Sequence, residues 1–438
     1  MKNITKIDKF SLFILYIFFI EGFLAKSFLF NGNDPTILHY SLSSVIIMIT
    51  LLLVLIYRGG HLINNFTIIL LIFIFTWLTI STLYIGDNQN YLALPTFLIL
   101  IFGCFYGIPS LGTISDNNIL RILYFTLAFF SLSSIMLWVV TPDLSFDPDS
   151  GRFSGTLISV AVACNVFFYF SVIACAAMSV STDMRARIIH GSLMFIGLGL
   201  LYFTKTRSSL VEALACIGIL LIGFRFRRVN AAKGWFGPVL IGLLMTLGIT
   251  ALGFGAVDTQ SQLEEFRLSD QSLDTSRGGN WEFGIERIIA APLFGEGLLT
   301  KQTQGGSGTI NIESGANYDP RYDPHSLILS FAVQAGIPFA IGMMGLLLSS
   351  LGYFLWVFGL RKSIETPEFV LCAVHTLAMI PAGGDLTSFG NSIDRIFWVL
   401  LGCVVLKAHI ARTQISRYPH LAARSYRRLH QNEQRLAR

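Results

Sequence analysis

The stretch that decides the fold is residues 65–85, NFTIILLIFIFTWLTISTLYI. It contains no charged side chain, and as an α-helix it is about 30 Å long, the thickness of the hydrocarbon core of a bilayer. Similar stretches recur along the chain, which is 53% hydrophobic and only 13% charged. A soluble domain carries charge on about a quarter of its residues. The sequence therefore predicts a polytopic membrane protein.

The predicted fold class is all-α, with about twelve transmembrane helices, because lipid offers no hydrogen-bond partner to an open backbone. The short alternating segments of a β-barrel are missing from the sequence. The predicted spans are residues 10–30, 37–57, 65–85, 91–111, 119–140, 157–180, 188–204, 208–224, 235–256, 337–359, 368–386 and 391–410. The predicted regions are helices 1–9 in 1–256, an outward-facing catalytic loop in 257–336, helices 10–12 in 337–410 and a basic tail in 411–438.

Positive charge predicts the orientation, because cytoplasmic loops of membrane proteins carry an excess of Lys and Arg. With a cytoplasmic N-terminus, alternation of the spans places the basic loops and the Arg-rich tail in the cytoplasm and the acidic loops on the other side. The basic loops contain Arg58, Arg185, Arg187, Arg225, Arg227, Arg228, Lys233, Arg361 and Lys362. Both termini are therefore predicted to be cytoplasmic and the large loop periplasmic. The tail is interpreted as a topology signal that contacts membrane lipids, not nucleic acid.

The cysteines and two of the histidines fall inside predicted spans. No pair of cysteines has CxxC spacing, so neither a disulfide framework nor a metal site is indicated, and we interpret them as small apolar packing residues. His39 and His375 are expected to be buried and hydrogen-bonded. The cysteines are Cys104, Cys164, Cys175, Cys216, Cys372 and Cys403.

One long polar stretch, residues 256–325, interrupts the apolar sequence and points to function. Within it, residues 280–294 have the periodicity of an amphipathic helix lying along the membrane surface, ended by a proline and a glycine. The composition of residues 301–315 is typical of a mobile flap over a site, and equally of a plain flexible loop. His325 directly precedes the next apolar run. A helix N-terminus favours the neutral imidazole that a general base needs; the alternative is a histidine that only caps the helix.

Arginine is depleted on the outer side of membrane proteins, so the outward arginines need an explanation. Guanidinium groups bind phosphate oxygens in a fork, which suggests a phosphate-bearing lipid headgroup. The alternative is snorkelling to the interface or pairing with a loop acid, and we expect this for Arg267 and Arg395. Small and hydroxyl residues flank Arg207 and Arg277, which we therefore expect to be approachable. The outward set is Arg152, Arg207, Arg267, Arg277, Arg287, Arg321 and Arg395.

Four pieces of sequence follow one another along the chain and resemble a known family. They are RFSG at 152–155, TRSS at 206–209, SRGGNW at 276–281 leading to PLFGEG at 292–297, and HSLIL at 325–329 followed by QAGIP at 334–338. In this order and spacing they are similar to the O-antigen ligase and polysaccharide polymerase superfamily. The resemblance covers most of the chain, including the number of spans and the position of the large outer loop.

The resemblance implies an activity and a set of site residues. It implies a GT-C-like, metal-independent, inverting glycosyltransferase without a cofactor, in the bacterial inner membrane. The donor would be a glycan on undecaprenyl diphosphate. Arg207 and Arg277 match the arginines that bind the donor pyrophosphate, and His325 matches the histidine that activates the acceptor hydroxyl.

Three further arginines and two departures complete what the resemblance implies. Arg152, Arg287 and Arg321 are expected to support the site. The family usually has Asn where Ser326 stands, and Pro-Asn where residues 159–161 stand, so roles in the sixth span are not carried over.

Two kinds of function remain open at this point. As a glycosyltransferase, the protein acts on the next repeat unit as a polymerase or on lipid A-core as a ligase, and the long outer loop favours the polymerase. As a flippase or transporter, it would normally place charged residues or broken helices near the middle of the bilayer, whereas the outward arginines cluster at the interface. A purely structural subunit does not explain those arginines.

Overall fold

The computed structural model describes residues 6–24, 45–51, 65–86, 101–114, 119–147, 151–157, 159–227, 273–297, 326–382 and 392–417, and positions 91, 94, 95, 98 and 324. The regular structure within these ranges is helical, and one isolated β-bridge joins Phe146 and Phe153. The described residues thus agree with the predicted all-α class.

The helices begin and end close to the apolar runs of the sequence. In chain order they are α1 (Lys6–Leu24), α2 (Asn65–Ile85), α3 (Ile108–Ile114), α4 (Ile119–Val140), α5 (Val160–Val180), α6 (Met184–Phe203), α7 (Arg207–Arg227), α8 (Leu273–Ala290), α9 (Leu327–Ile364), α10 (Pro367–Ala382) and α11 (Ser392–Arg417). A π-helical turn, Gly103–Gly107, leads into α3. A 3-10 turn, Pro142–Ser145, follows α4.

Within the described ranges, seven helices are long and apolar enough to cross a membrane, namely α2, α4, α5, α6, α7, α9 and α11. The protein is therefore a multi-pass membrane protein. The predicted spans at 65–85 and 119–140 coincide with α2 and α4. The apolar parts of α1 and α10 are shorter than a full span. The predicted span at 235–256 lies outside the described residues, so twelve spans stay a prediction.

The centre of the bundle is α5, which packs against α4, α6 and α7. Of its most apolar 18-residue window, 83% is buried, against 28% for α2. Small residues allow the close approach: a Cβ built on Gly197 of α6 would lie 3.0 Å from the Cβ of Ser171 on α5. Exposed apolar side chains on α2, such as Ile69 and Leu83, lie on the surface that is expected to contact lipid. None of the six cysteines forms a disulfide and all are buried, which confirms their interpretation as packing residues.

The longest helix, α9, contains the predicted span at 337–359 as its middle segment, between breaks at Ala335–Gly336 and at Gly359, and extends beyond this span at both ends. It begins at Leu327, inside the predicted outer loop, and ends at Ile364. The backbone is not helical at Ala335 and Gly336, where φ is −140° and 86°. The predicted span begins directly after this break, where the glycine and the following Pro338 interrupt the hydrogen-bond ladder.

The amphipathic helix α8 is also longer than predicted. It begins at Leu273 instead of Asn280, so the Arg277-Gly278-Gly279 motif is helical. Two glycines cost only about 1 kcal/mol each relative to alanine, and they are tolerated where neighbouring contacts support the helix. The helix ends at Ala290, two residues before Pro292, as expected for a residue that cannot donate a backbone hydrogen bond.

The helix termini form two ends of the bundle, here called the Arg207 end and the opposite end. The Arg207 end contains the last turns of α2, α4, α6 and α10 and the first turns of α5, α7 and α9. Hydrogen bonds join α2 to α9, α4 and the end of α6 to the segment that precedes α5, and the residue before α9 to α10. The opposite end contains the first turns of α4 and α10 and the last turns of α5, α9 and α11, which surround one cavity. Among the described residues, Arg187 and Lys362, which alternation assigns to the same side of the membrane, both lie at the opposite end.

Candidate functional site

Arg207 is the first residue of α7, and Arg152 fixes the turn that precedes it. Arg152 Nε donates to the Thr204 carbonyl at 2.8 Å, and Arg152 Nη2 donates to the Thr206 hydroxyl at 2.6 Å. Between them Lys205 has a φ of 53°, an uncommon conformation for a residue with a side chain. Arg152, which we expected to support the site, therefore positions the turn that carries Arg207.

A buried pair connects α7 to α10 below the Arg207 end. His375 Nδ1 and Glu212 Oε2 are 2.9 Å apart, and the two side chains are 0% and 5% exposed. The rings of Phe168, Tyr169 and Phe397 surround the imidazole at centroid distances of 5.7, 5.9 and 5.6 Å. The prediction that His375 is buried and hydrogen-bonded is confirmed. Glu212 was missed, although an acid inside an apolar span is itself a signal of a functional or paired group.

The same pair shows that Arg207 lies level with the start of α9. Helices α7 and α10 run antiparallel, with Glu212 opposite His375. Five residues toward the Arg207 end, about 7.5 Å along each helix, lead from Glu212 to Arg207 on α7 and from His375 to Ile380 on α10. Arg207 and Ile380 are therefore level with each other. The Ser326 hydroxyl donates to the Ile380 carbonyl at 2.9 Å. The residues that begin α9 are therefore at the height of Arg207.

Helix α8 passes beside the segment that precedes α9. A Cβ built on Gly284 would lie 2.8 Å from the Cβ of Pro324. Arg277 lies seven residues, about two turns, before Gly284, so the two positions share a face of α8. Arg267, Arg321 and His325 lie outside the described residues, as does the side chain of Arg277. The structure thus brings α7, α8 and the residue after His325 to one end of the bundle.

The turn after α8 docks on the break in α9 through its backbone. Three hydrogen bonds of 2.8, 2.8 and 2.9 Å join residues 292–297 to residues 333–337. A Cβ built on Gly336 would lie 1.8 Å from the Leu293 carbonyl oxygen, so only glycine permits this approach. The PLFGEG and QAGIP motifs of the sequence are therefore two halves of one contact, called here the α8–α9 junction.

An ion pair within the α8–α9 junction and contacts from α2 stabilise it. Arg287 on α8 forms a two-pronged ion pair with Glu296. From α2, the Trp77 indole N–H donates to the Ala335 carbonyl at 3.0 Å and the Trp77 ring stacks on Phe294 with centroids 5.7 Å apart. An outward arginine was expected either to bind a phosphate or to pair with an acid, and Arg287 pairs with an acid. Nothing in the local sequence of α2 indicated that Trp77 contacts a turn so distant along the chain.

Arg395 also pairs with an acid. Arg395 Nη1 lies 2.7 Å from Glu21 Oε2, with side chains 3% and 10% exposed, and its guanidinium carbon lies 5.4 Å from the ring centre of Phe18. Pairing was the expectation for Arg395, but the acid lies on α1 and not in a loop. This pair joins the first and last described helices.

Comparison with known proteins agrees with the motifs. Residues 192–344 match the family model described as O-Antigen ligase. The resemblance to the O-antigen ligase superfamily is confirmed. The region that matches the O-antigen ligase model runs from α6 into α9 and includes Arg207, Arg277 and His325, whereas Arg152 and His375 lie outside it. A comparison with curated proteins found no match. The superfamily supports an enzyme of the ligase or polymerase kind in a multi-pass membrane protein.

Proposed function

We propose that this member of the O-antigen ligase superfamily transfers a glycan from undecaprenyl diphosphate to an acceptor hydroxyl at the outer face of the bacterial inner membrane. The observation that carries the proposal is the position of Arg207, at the N-terminus of α7 and level with Ser326 at the start of α9. A guanidinium group and the residue that follows His325 are thus at the same height at one end of the bundle.

Arg207 is suited to bind the donor diphosphate. Its guanidinium offers paired N–H donors, and the free N–H groups at the start of α7 add a positive potential. Arg277 on α8 is proposed to bind the same group. When the bond between the sugar and the diphosphate breaks, negative charge develops on the departing phosphate oxygen. Fixed guanidinium groups stabilise that charge, so the proposed reaction is metal-independent.

His325 is proposed to activate the acceptor. The acceptor hydroxyl oxygen attacks the anomeric carbon from the side opposite the diphosphate, which inverts the configuration at that carbon. The hydroxyl proton passes to the imidazole, and undecaprenyl diphosphate leaves. The Ser326–Ile380 hydrogen bond, on the residue after His325, gives this segment a fixed attachment to α10.

The acceptor defines two versions of the activity. We propose transfer to the next repeat unit, as a polysaccharide polymerase, because the outer loop is long enough to cover a growing chain. Transfer to lipid A-core, as an O-antigen ligase, is the second candidate, because that is the description of the matching family model.

The experiment is reconstitution of the protein in vesicles with a labelled lipid-linked glycan and each acceptor in turn. A ladder of products identifies a polymerase, and a single adduct on lipid A-core identifies a ligase. Movement of the label across the bilayer without transfer would show a flippase and contradict the proposal. His325→Ala should abolish transfer while leaving donor binding intact.

Donor binding is measured separately with the Arg207→Ala and Arg277→Ala variants. Losing a hydrogen bond to a charged group costs about 1.5–3 kcal/mol, so the affinity should fall about 10- to 150-fold. Arg185→Ala is the matched control, because Arg185 is exposed at the opposite end. Unchanged donor affinity in both site variants would refute the pyrophosphate role.

A further inference from the structure

The opposite end of the bundle contains a cavity of about 790 Å³ that the proposed reaction does not use. It lies between the ends of α4, α5, α9, α10 and α11 and is partly open to the outside. Ligand pockets in proteins have volumes of about 300–1,000 Å³, so this cavity is large enough for a small molecule or part of a lipid.

The walls of the cavity are mainly apolar. Phe125 on α4 and Phe358 on α9 face it from two sides, and Ile173 on α5 contributes a further apolar wall. Phe125 is 48% exposed, although it is a large aromatic side chain. In a membrane protein such a surface is expected to be covered by hydrocarbon chains.

The charged groups of the cavity have a consistent arrangement. Glu365 and Glu368 are buried, with side chains 7% and 5% exposed. Each lies near a lysine: Lys407 Nζ is 2.6 Å from Glu368 Oε1, and Lys362 Nζ is 3.7 Å from Glu365 Oε2. Both lysine side chains are about half exposed. With Arg121 the lining therefore has three cations and two acids, and the cations are its accessible groups.

Hydroxyl and imidazole groups also line the cavity. The Tyr124 hydroxyl and His190 Nδ1 are 2.9 Å apart, and both residues line the cavity together with Ser181. The combination of accessible cations, hydroxyl groups and apolar walls fits an amphiphile with an anionic headgroup better than a purely apolar molecule.

We propose that this cavity binds an anionic glycerophospholipid, with the phosphate near Arg121 and Lys362 and an acyl chain along Phe125 and Phe358. Basic pockets between membrane helices bind such headgroups, and each basic side chain near the surface contributes about 1 kcal/mol. The site is at the opposite end from Arg207, so the bound lipid is distinct from the glycan donor.

The test is lipid retention on the full-length protein purified in detergent. Phosphatidylglycerol is added, the detergent exchanged, and bound lipid measured by mass spectrometry. We expect retention on the unaltered protein and about a tenfold or greater loss with Arg121→Ala plus Lys362→Ala, while Arg185→Ala retains lipid. Val180→Trp, which fills the cavity without changing a charge, should also lose it.

Each alternative outcome is informative. Equal retention by the double variant and by the unaltered protein would overturn the proposal, as would absence of bound lipid. Equal retention of phosphatidylcholine would show that charge plays no part. Displacement by inorganic phosphate alone would identify a site for free phosphate instead of lipid. A melting temperature within about 2 °C of the unaltered protein shows that the variants are folded.

Discussion

Gly336 is the residue on which the α8–α9 junction depends most directly. Its φ of 86° and the 1.8 Å separation between a built Cβ and the Leu293 oxygen exclude any larger residue. We predict that Gly336→Ala costs several kcal/mol and reduces the amount of folded protein, because the turn must leave α9. Gly352→Ala, in the same helix with nothing within 4 Å, is the control and should be neutral or slightly stabilising. Thermal melting in detergent measures both; equal melting of the two variants contradicts the prediction.

Substitutions of Arg152 test whether this arginine positions the turn before Arg207 or binds the donor itself. We predict that Arg152→Ala weakens donor binding several-fold, because the Thr204–Thr206 turn loses two hydrogen bonds and Arg207 is no longer fixed. Arg152→Lys should be nearly as weak, since one ammonium cannot reproduce the guanidinium geometry. Donor affinity and thermal melting are measured together. Full affinity in Arg152→Lys would instead indicate that charge alone matters at this position.

Ser326 is one departure from the family pattern, and the structure shows which contact its side chain makes. Where Asn is usual, the shorter hydroxyl side chain donates to the Ile380 carbonyl and connects the start of α9 to the end of α10. The substitution is visible in the sequence, but its partner is 54 residues away and no local pattern indicates it.

At the scale of elements, the Glu212–His375 pair is the clearest connection between α7 and α10. We predict that His375→Ala destabilises the protein by about 3–5 kcal/mol, because removing one partner leaves a buried polar group unsatisfied. Glu212→Gln keeps an acceptor for the imidazole and should cost much less. The double variant Glu212→Ala plus His375→Ala completes the cycle, and its loss should be smaller than the sum of the two single losses. Additive losses would show that the pair does not interact.

Element boundaries could be predicted where hydrophobicity alone decides them. Helices α2 and α4 begin and end at the predicted residues because both of their ends are polar and their interiors are not. The middle segment of α9 lies where the span at 337–359 was predicted, whereas residues 327–334, its first segment, were predicted as part of the outer loop. Helix α8 was predicted too short because the amphipathic periodicity begins only at residue 280, whereas the helix itself begins at Leu273.

At the scale of the whole molecule, we predict that the two ends of the bundle are accessible from opposite sides of the membrane. We expect Leu144→Cys to react with a membrane-impermeant maleimide on intact spheroplasts, and Arg185→Cys to react only after permeabilisation. Leu144 is 65% exposed and follows α4 at the Arg207 end, whereas Arg185 is exposed at the opposite end. The native cysteines are all buried and should give little background. The reverse labelling pattern would place the proposed site in the cytoplasm.

The sequence by itself determined the membrane class, the positions of most of the described spans and the resemblance to the O-antigen ligase superfamily, since each follows from hydrophobicity or motif order. Only the tertiary structure decided which side chains meet: Arg152 with the turn before Arg207, Glu212 with His375, and Gly336 with Leu293. Contact with lipid is favourable for apolar surface anywhere along a helix, so lipid does not determine which side chains contact each other. Close packing and the need to satisfy buried polar groups select them, and both depend on residues distant along the chain.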